Sequence, residues 1–399
     1  MRVFIITNNP LPNGMASTHR IDCYAKALAR QGDTCEVIIY HRTEIYGKKP
    51  KNTVGAADLG KYRFQYIGGT PLRGPNVFYR RYSDIMDKYR TIAYLRRQLR
   101  RGDVLFLYMS EERFLTRRLI RLAHSLHVPI VRELCEYPYG TKEETEKIRK
   151  RRKSYLKDIF PKLDGAVCIS ESLYQLALEH HPHGHFVKIP ILVEKNRSDR
   201  TYQHPRPYLY HGGTLYERKD GILTTMRAFG EACVALDKKV DFILSGPPSP
   251  HQQELDDIIH HYGIEENVHF LSQLPPEKVA EYQNGAFLTV LYKHDNSQNQ
   301  YGFSTKLGEI LISETPVMTT TVGEANYWLK DGESAYIIPS GHPEMMKEKI
   351  VEIYHHESER RQIARNGKAI AEKYFNLSYQ GARLHAFFSQ LVSEKSPNE

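Results

Sequence analysis

Asn299-Gln-Tyr-Gly-Phe-Ser304-Thr305-Lys306-Leu307-Gly-Glu309-Ile310-Leu311-Ile-Ser-Glu-Thr-Pro316-Val317-Met-Thr-Thr-Thr-Val-Gly-Glu324 reads as a polar loop, a short helix and a buried strand. Ser304 stands where an N-cap belongs, and Leu307, Ile310 and Leu311 fall at i, i+3 and i+4. Pro316 stops the helix before the strand expected at Val317–Thr321. Such a start aims unsatisfied backbone N–H groups outward near Ser304, Thr305 and Lys306, with an ammonium beside them, and so attracts phosphate. Glu309, about one turn further in, offers a carboxylate to a pair of vicinal hydroxyls. Phosphate site plus carboxylate is what a nucleotide needs; the plain alternative is a surface amphipathic helix with ordinary charges.

The same alternation extends in both directions. In the second half, strand Tyr208–His211 runs into Gly212-Gly213 and on to Lys219-Asp220-Gly221, before a helix over Ile222–Leu236. Two glycines permit close backbone approach to an anion, and Lys219 can neutralise it at the start of that helix; a glycine turn with a solvated lysine is the alternative. Strands Val240–Ser245, Val268–Leu271 and Ala286–Leu291 follow, with helices between. In the first half, Val3–Ile6, a helix carrying Ile21, Tyr24, Ala25 and Leu28, and Cys35–Tyr40 make a βαβ unit. Val104–Tyr108, Pro129–Val131 and Gly165–Ile169 continue the series. Residues 42–76 are Gly- and Lys-rich and read as an irregular excursion. Ser83–Arg101 and Lys142–Lys157 read as basic helices, the first with Ile85, Tyr89, Ile92 and Leu99 on its apolar side. Glu194–Arg206 has linker composition. The division expected is 1–193 for a first domain, 194–206 for a linker, 207–375 for a second domain and 376–399 for a C-terminal helix packing back on the first.

A chain of 399 residues suits two domains, and 40% apolar with 26% charged residues is ordinary globular composition. No apolar run reaches the roughly 18 residues of a membrane span, and the N-terminus is expected to enter a strand without a signal peptide. Five scattered cysteines without a Cys-x-x-Cys pair speak against a disulfide framework or zinc site and suit a reducing cytoplasm. The histidines of His180-His181-Pro-His183-Gly-His185 lack an ordered partner and read as a solvated turn. A net charge of +9 implies an anionic partner. No G-x-G-x-x-G follows the first strand, which disfavours hydride transfer, and no nucleic-acid recognition motif accompanies the basic helices.

Several motifs in register resemble the retaining nucleotide-sugar glycosyltransferases of the GT-B fold, of the family-4 (group 1) type. They are Gly212-Gly213…Lys219-Asp-Gly221, Asp164-Gly-Ala-Val-Cys-Ile-Ser170-Glu, Ile189-Pro190-Ile-Leu-Val-Glu194, Ser304-Thr305-Lys306-Leu-Gly-Glu309, Pro316-Val317, and Gly323-Glu324 before Asp331-Gly332. The resemblance implies an α/β chain of two Rossmann-like, doubly wound parallel-sheet domains facing across a cleft. A nucleoside diphosphate-sugar would bind mainly to the second. Lys219 and Lys306 would meet the diphosphate, Glu309 the ribose hydroxyls, and Ser304–Lys306 would present a helix start. Gly14 would approach from the first domain. There are two departures. The family's usual E-x7-E pair would place its first Glu at position 301, where Tyr301 stands, and the Arg that often follows the glycine turn is Thr214.

On the acceptor side, Glu133 and Glu136 could accept the proton of an acceptor hydroxyl or stabilise oxocarbenium character; the alternative is structural capping. His19 and Arg20 could reach the same region, or form a surface pair at a helix end. The function expected is hexosyl or N-acetylhexosaminyl transfer with retention to a glycan or lipid-linked acceptor, in cell-surface polysaccharide or glycoconjugate synthesis. Lys219, Glu309 and Glu136 would be catalytic, and no metal or cofactor would be needed. The basic helices would hold the chain reversibly on the anionic inner face of the cell membrane. A donor-binding subunit without activity, favoured by Tyr301, and a sugar-nucleotide epimerase are the other readings.

Overall fold

β1 (Arg2–Thr7) is the hub of an eight-stranded sheet. It continues through β2 (Thr34–Ile39), β3 (Ala56–Asp58), β4 (Arg63–Tyr66), β5 (Val104–Tyr108), β6 (Ile130–Leu134), β7 (Gly165–Cys168) and β8 (His185–Lys188). The spatial order is β3-β4-β2-β1-β5-β6-β7-β8, with β3 antiparallel to β4 and the other pairs parallel. Such strands are covered on both faces, which is why β1 and β5 are near-continuous apolar runs. Helices α1 (Ala16–Ala29), α2 (Val77–Gln98), α3 (Arg113–Ser125), α4 (Glu146–Asp158) and α5 (Glu171–His180) make the crossovers. The computed structural model describes residues 1–140, 144–195 and 197–395, and the chain divides into two units, Met1–Leu192 with Leu377–Glu399, and Val193–Asn376.

The last helix, α15 (Leu377–Glu394), belongs to this first unit. It buries Leu384, Phe387, Phe388 and Leu391, and Phe388 meets Phe106 edge-on at 5.4 Å. Gly381 sits where a Cβ would lie 2.6 Å from the Ala27 carbonyl oxygen, so only glycine lets α15 approach α1 this closely.

The second unit holds β9 (Tyr208–Gly212), β10 (Asp241–Ser245), β11 (Val268–Leu271), β12 (Leu288–Leu291), β13 (Val317–Thr320) and β14 (Tyr336–Ile338). All its strand pairs are parallel, in the order β11-β10-β9-β12-β13-β14. Its helices are α6 (Glu217–Asp220), α7 (Ile222–Ala235), α8 (Gln252–Tyr262), α9 (Pro276–Gly285), α10 (Ser297–Tyr301), α11 (Thr305–Ile312), α12 (Ala325–Trp328), α13 (Pro343–His355) and α14 (Glu357–Ile370). Phe229, Phe242, Leu244, Val290, Met346 and Ile350 share one core. The segment of linker composition lies on this unit: Tyr202 stacks on Tyr282 at 4.1 Å, and Asn284 Nδ2 donates to the Ser198 and Arg200 carbonyls.

The structure departs from the sequence expectations in four places. Residues 42–76 contain β3 and β4. The Phe64/Tyr66 alternation of β4 is only four residues long, and Arg63 and Gln65 are held by Glu36 on β2, so the signal is carried by cross-strand polar pairs. Helix α2 starts earlier than expected, at Val77, where Asn76 accepts the Tyr79 N–H at 2.7 Å. It turns Ile85 and Tyr89 outward and buries Ser83, Asp87, Thr91 and Leu95. Helix α4 begins at Glu146 behind the Thr145 cap; Lys142, placed in it by the sequence reading, lies outside the described residues. The polar loop before Ser304 includes a helical turn, α10, capped by Asn296.

Candidate functional site

In the second unit the chain order reverses between β9 and β12, which are neighbours although β10 and β11 intervene in sequence. Open α/β sheets bind ligands at the carboxyl ends of strands flanking such a switch point. The carboxyl end of β9 is Gly212, followed by Gly213; that of β12 is Leu291, followed by Tyr292 and Lys293. Gly213 has φ +123°, and a Cβ there would lie 2.6 Å from Lys306 Cε and 2.8 Å from its Nζ. Gly213 is therefore the notch across which the Lys306 side chain lies. Gly246, at the end of β10, makes a matching approach, with its Cβ position 1.9 Å from the Gly213 oxygen.

Lys306 does not point to solvent alone. Its Nζ lies 3.1 Å from Asp220 Oδ2, while Lys293 Nζ lies 2.7 Å from Asp220 Oδ1 and donates to the Lys219 carbonyl at 3.0 Å. Thr214 Oγ1 also donates to Asp220 Oδ2, at 2.8 Å. One buried carboxylate thus gathers two ammonium groups from two other segments of the chain. Burial alone would raise the Asp220 carboxyl, but Lys306 and Lys293 hold it far below the usual carboxylate range. Burial pushes the Lys306 ammonium down to about 8, against the pull of Asp220 and with the push of Lys293. The Lys306 side chain keeps 22% exposure, enough to face an incoming anion. His211, buried beneath, is lowered to about 4 by burial and by Lys306, so it is neutral near pH 7 and donates to the Thr214 carbonyl.

The local sequence explains this assembly. Helix α11 begins at Thr305 with Ser304 at the N-cap position as expected, but the Ser304 side chain makes no capping bond. Its first turn carries Lys306 toward the notch, and Leu307, Ile310 and Leu311 anchor it from behind. The start of α7 is different: Glu217 Oε2 accepts the Leu223 N–H at 2.6 Å, and Oε1 accepts from Thr224 Oγ1 and His294 Nε2, each at 2.7 Å. The protein's own carboxylate thus caps the start of α7. At the start of α11 no side chain among the described residues caps in this way.

The residues singled out from sequence fall as follows. Gly212, Gly213, Lys306, Thr305 and Ser304 are brought together around the notch. Lys219 is exposed on α6, close enough to lower the Lys306 pKa further. Glu309 is half-buried on α11, 3.5 Å from Arg197 Nη2. Gly14, His19, Arg20, Glu133 and Glu136 belong to the first unit. A Cβ on Gly14 would strike Thr18 Oγ1 at 1.9 Å, so this glycine makes a tight turn into α1. His19 packs beside Cys23 one turn on.

Arg20 does not form a surface pair with His19, and Glu133 is not exposed; the two side chains are buried against each other. Arg20 Nε donates to Glu133 Oε1 at 2.8 Å, Tyr24 donates to Oε2 at 2.9 Å, and the Arg20 guanidinium also serves the Ile189 and Pro190 carbonyls. Both side chains are buried, and this pair ties α1 to β6 and to the end of the strand series. Glu136 is exposed just beyond β6.

Sequence reading missed Lys293 and gave no role to Asp220, which it quoted only within the motif Lys219-Asp220-Gly221. The signal for Lys293 was present, as a cation placed directly after the buried run Leu288–Tyr292. It also missed His204, Asp241 and His269, whose ligand atoms all lie within 4.8 Å of one another. Both His Nε2 atoms meet Asp241 Oδ2, at 2.6 and 3.2 Å, while Arg206 Nε and Asn267 Nδ2 hold Oδ1. A cation there would face the Arg206 guanidinium, and the buried His204 Nδ1 has no partner among the described residues to orient a ligating imidazole. The cluster reads as a structural knot at the amino end of β10. A 590 Å³ cavity in the first unit likewise lies at the amino ends of β1 and β2, lined by Arg2, Val3, Thr34 and Cys35. The five cysteines form no disulfide with one another. Among the described residues, no helix is long and apolar enough to cross a membrane.

Residues 194–370 match the family described as Glycosyl transferases group 1. No curated protein matches the chain. Among solved structures, sucrose-phosphate synthase from Thermosynechococcus elongatus superposes with a TM-score of 0.73 at 14% identity, covering 98% of this chain and 99% of that one. HepE from Anabaena, in complex with UDP-glucose, superposes at 0.67 with 12% identity over 97% and 99%. WaaG, a glycosyltransferase involved in lipopolysaccharide biosynthesis, superposes at 0.62 with 14% identity over 100% of both. At such identities the likeness shows the fold: two parallel-sheet units of the GT-B class. The chain resembles the group 1 glycosyltransferases, and the family match over the second unit supports a glycosyltransferase.

Proposed function

We propose that this chain transfers a hexosyl or N-acetylhexosaminyl group, with retention, from a nucleoside diphosphate-sugar to a glycan or lipid-linked acceptor in cell-surface polysaccharide or glycoconjugate synthesis. One observation carries the reading: Lys306 and Lys293 converge on Asp220 beside the Gly213 notch, at the switch point of a parallel sheet. Two ammonium groups on one carboxylate leave an excess positive charge, and Lys219 adds a third ammonium nearby. In the reaction the bond from the anomeric carbon to the diphosphate breaks and a bond to the acceptor hydroxyl oxygen forms. Negative charge grows on the departing diphosphate, where fixed cations and the start of α11 stabilise it without reorganising. The ammonium groups supply this charge, so the scheme calls on no metal or cofactor. Glu309 is the proposed partner of the ribose hydroxyls, and Glu136 the proposed acceptor of the hydroxyl proton; Glu133 is engaged by Arg20.

The other elements of the reading are that Gly14 approaches the donor, that His19 lies on the acceptor side, and that the chain works in the cytoplasm in peripheral contact with an anionic membrane surface. UDP-sugars are the first donors to try, since HepE was solved with UDP-glucose. Thermal-shift screening against a panel of nucleoside diphosphate-sugars, followed by anomer analysis of the product, tests it: a stabilising donor consumed into an α-configured product from an α-donor is expected. A donor that binds but is neither hydrolysed nor transferred with any acceptor would favour a donor-binding subunit, the reading to which Tyr301 points.

A further inference from the structure

Helix α2 is built inside out. The line it buries, Ser83, Asp87, Thr91 and Leu95 at successive i+4 steps, is mostly polar. The line it exposes, Phe78, Tyr82, Ile85 and Tyr89 at i, i+4, i+7 and i+11, is aromatic and aliphatic, with exposures of 85, 61, 54 and 48%. The orientation is not free to relax. Asp87 Oδ2 accepts from Arg42 Nε at 3.2 Å and Oδ1 from Arg90 at 2.8 Å, Thr91 Oγ1 donates to the Asp87 carbonyl, and Tyr94 donates to Glu36 on β2 at 2.5 Å. Turning the helix to bury its apolar line would strand these groups. Phe114 on α3 extends the outward face, edge-on to Tyr89 at 5.6 Å, with the Arg118 guanidinium over its own ring.

The surroundings of this stripe carry one sign. Arg81, Arg90, Arg96 and Arg97 on α2 and Arg117, Arg118 and Arg121 on α3 are exposed. The acidic groups close by are already engaged: Asp84 by His41 and Arg73, Asp87 by Arg42 and Arg90, and Glu112 by Lys88 and the Leu115 N–H. A second copy docking here about a twofold axis would set arginines against arginines. An aromatic and aliphatic stripe fringed by exposed arginines instead fits the interface of an anionic bilayer, where rings enter the headgroup boundary and guanidiniums remain at the phosphates.

We infer that the Phe78–Tyr82–Ile85–Tyr89 face of α2, continued by Phe114, inserts into the interface of an anionic lipid bilayer. This deepens the membrane contact proposed above, on which its choice of occupant rests: attachment is by apolar insertion as well as by charge. The test is co-sedimentation of the whole chain with phosphatidylcholine vesicles, with and without phosphatidylglycerol. The wild type is compared with a variant carrying Phe78→Ser, Tyr82→Ser, Ile85→Ser and Tyr89→Ser, and with one carrying Arg81→Gln, Arg96→Gln and Arg97→Gln. All seven side chains are exposed or nearly so, and an unchanged thermal transition verifies the fold. The expected result is wild-type binding to the anionic vesicles, weakened by roughly tenfold or more in the serine variant, with the glutamine variant losing the dependence on phosphatidylglycerol. If the serine variant binds as the wild type does while the glutamine variant does not, insertion is overturned and the purely electrostatic contact stands. If the wild type binds neither vesicle, both fall. A wild-type dimer by light scattering that the serine substitutions dissolve, without vesicle binding, would make the stripe an interface between copies and overturn the inference.

Discussion

Replacing Lys306 by Met removes one of the two ammonium groups on Asp220 and changes the local charge from an excess of one positive to none. Asp220 keeps Lys293 at 2.7 Å and Thr214 at 2.8 Å. The folding cost should therefore be about 1–2 kcal/mol, well short of the ~3–5 kcal/mol of orphaning a buried charge. The effect on turnover should be larger. A cation touching a phosphate oxygen at ~4 Å in a medium of effective dielectric ~20 contributes about 4 kcal/mol. Losing one preorganised group of this kind costs on the order of 10²–10³ in kcat. The pH profile supplies a second, independent signature. With Lys306 near 8, its charge is lost on the alkaline side, so kcat/KM of the wild type should fall as pH rises through about 8. Lys306→Arg should move that limb well upward, because a guanidinium stays protonated, and Lys306→Met should abolish it. The assay is donor consumption against pH, with the thermal transition of each variant as control. Turnover of Lys306→Met within threefold of wild type, or an alkaline limb that is unmoved in Lys306→Arg, would refute the assignment.

Gly213→Ala forces a side chain into a backbone region at φ +123° and toward Lys306 Cε, so a loss of about 1–3 kcal/mol in stability and a weaker donor affinity are expected by calorimetry. Glu133→Gln leaves the Arg20 guanidinium buried without its carboxylate; urea unfolding should report a loss of roughly 3–5 kcal/mol. A variant that kept its stability and lost only turnover would return Glu133 to the acceptor site. Burial would raise the Asp241 carboxyl, yet hydrogen bonds from His204, His269 and Arg206 hold it below its ordinary value. A depressed pKa in the folded state means stabilisation that is present above the unfolded value of about 3.9 and lost as pH falls through the folded one. The stability difference between wild type and Asp241→Asn should therefore be full at neutral pH and shrink on acidification below about 4, as read by thermal melts across pH.

Much of this architecture is legible in the chain. The alternation of apolar runs with helical periodicity marks parallel β/α units, because a strand covered on both faces must be apolar throughout. Gly212-Gly213 and the run Ser304–Glu309 stand out because a glycine pair and a helix start beside a lysine are local features. The excursion at 42–76 was not legible: β4 is four residues long, and what holds it is a carboxylate on another strand. What the sequence by itself determined is therefore the order of elements, their buried faces in most helices, and two of the segments that meet at the switch point. Only the tertiary structure decided that Lys293 and Lys306 share Asp220 across 73 and 86 residues of chain, and that Glu217 closes the start of α7. It also decided that Arg20 spends Glu133, and that α2 turns its aromatic side outward. The reason is physical: periodicity tells which residues share a face of one element, whereas the partner of a charge, and the side on which an amphipathic helix is satisfied, are set by groups that only folding brings within a few ångströms.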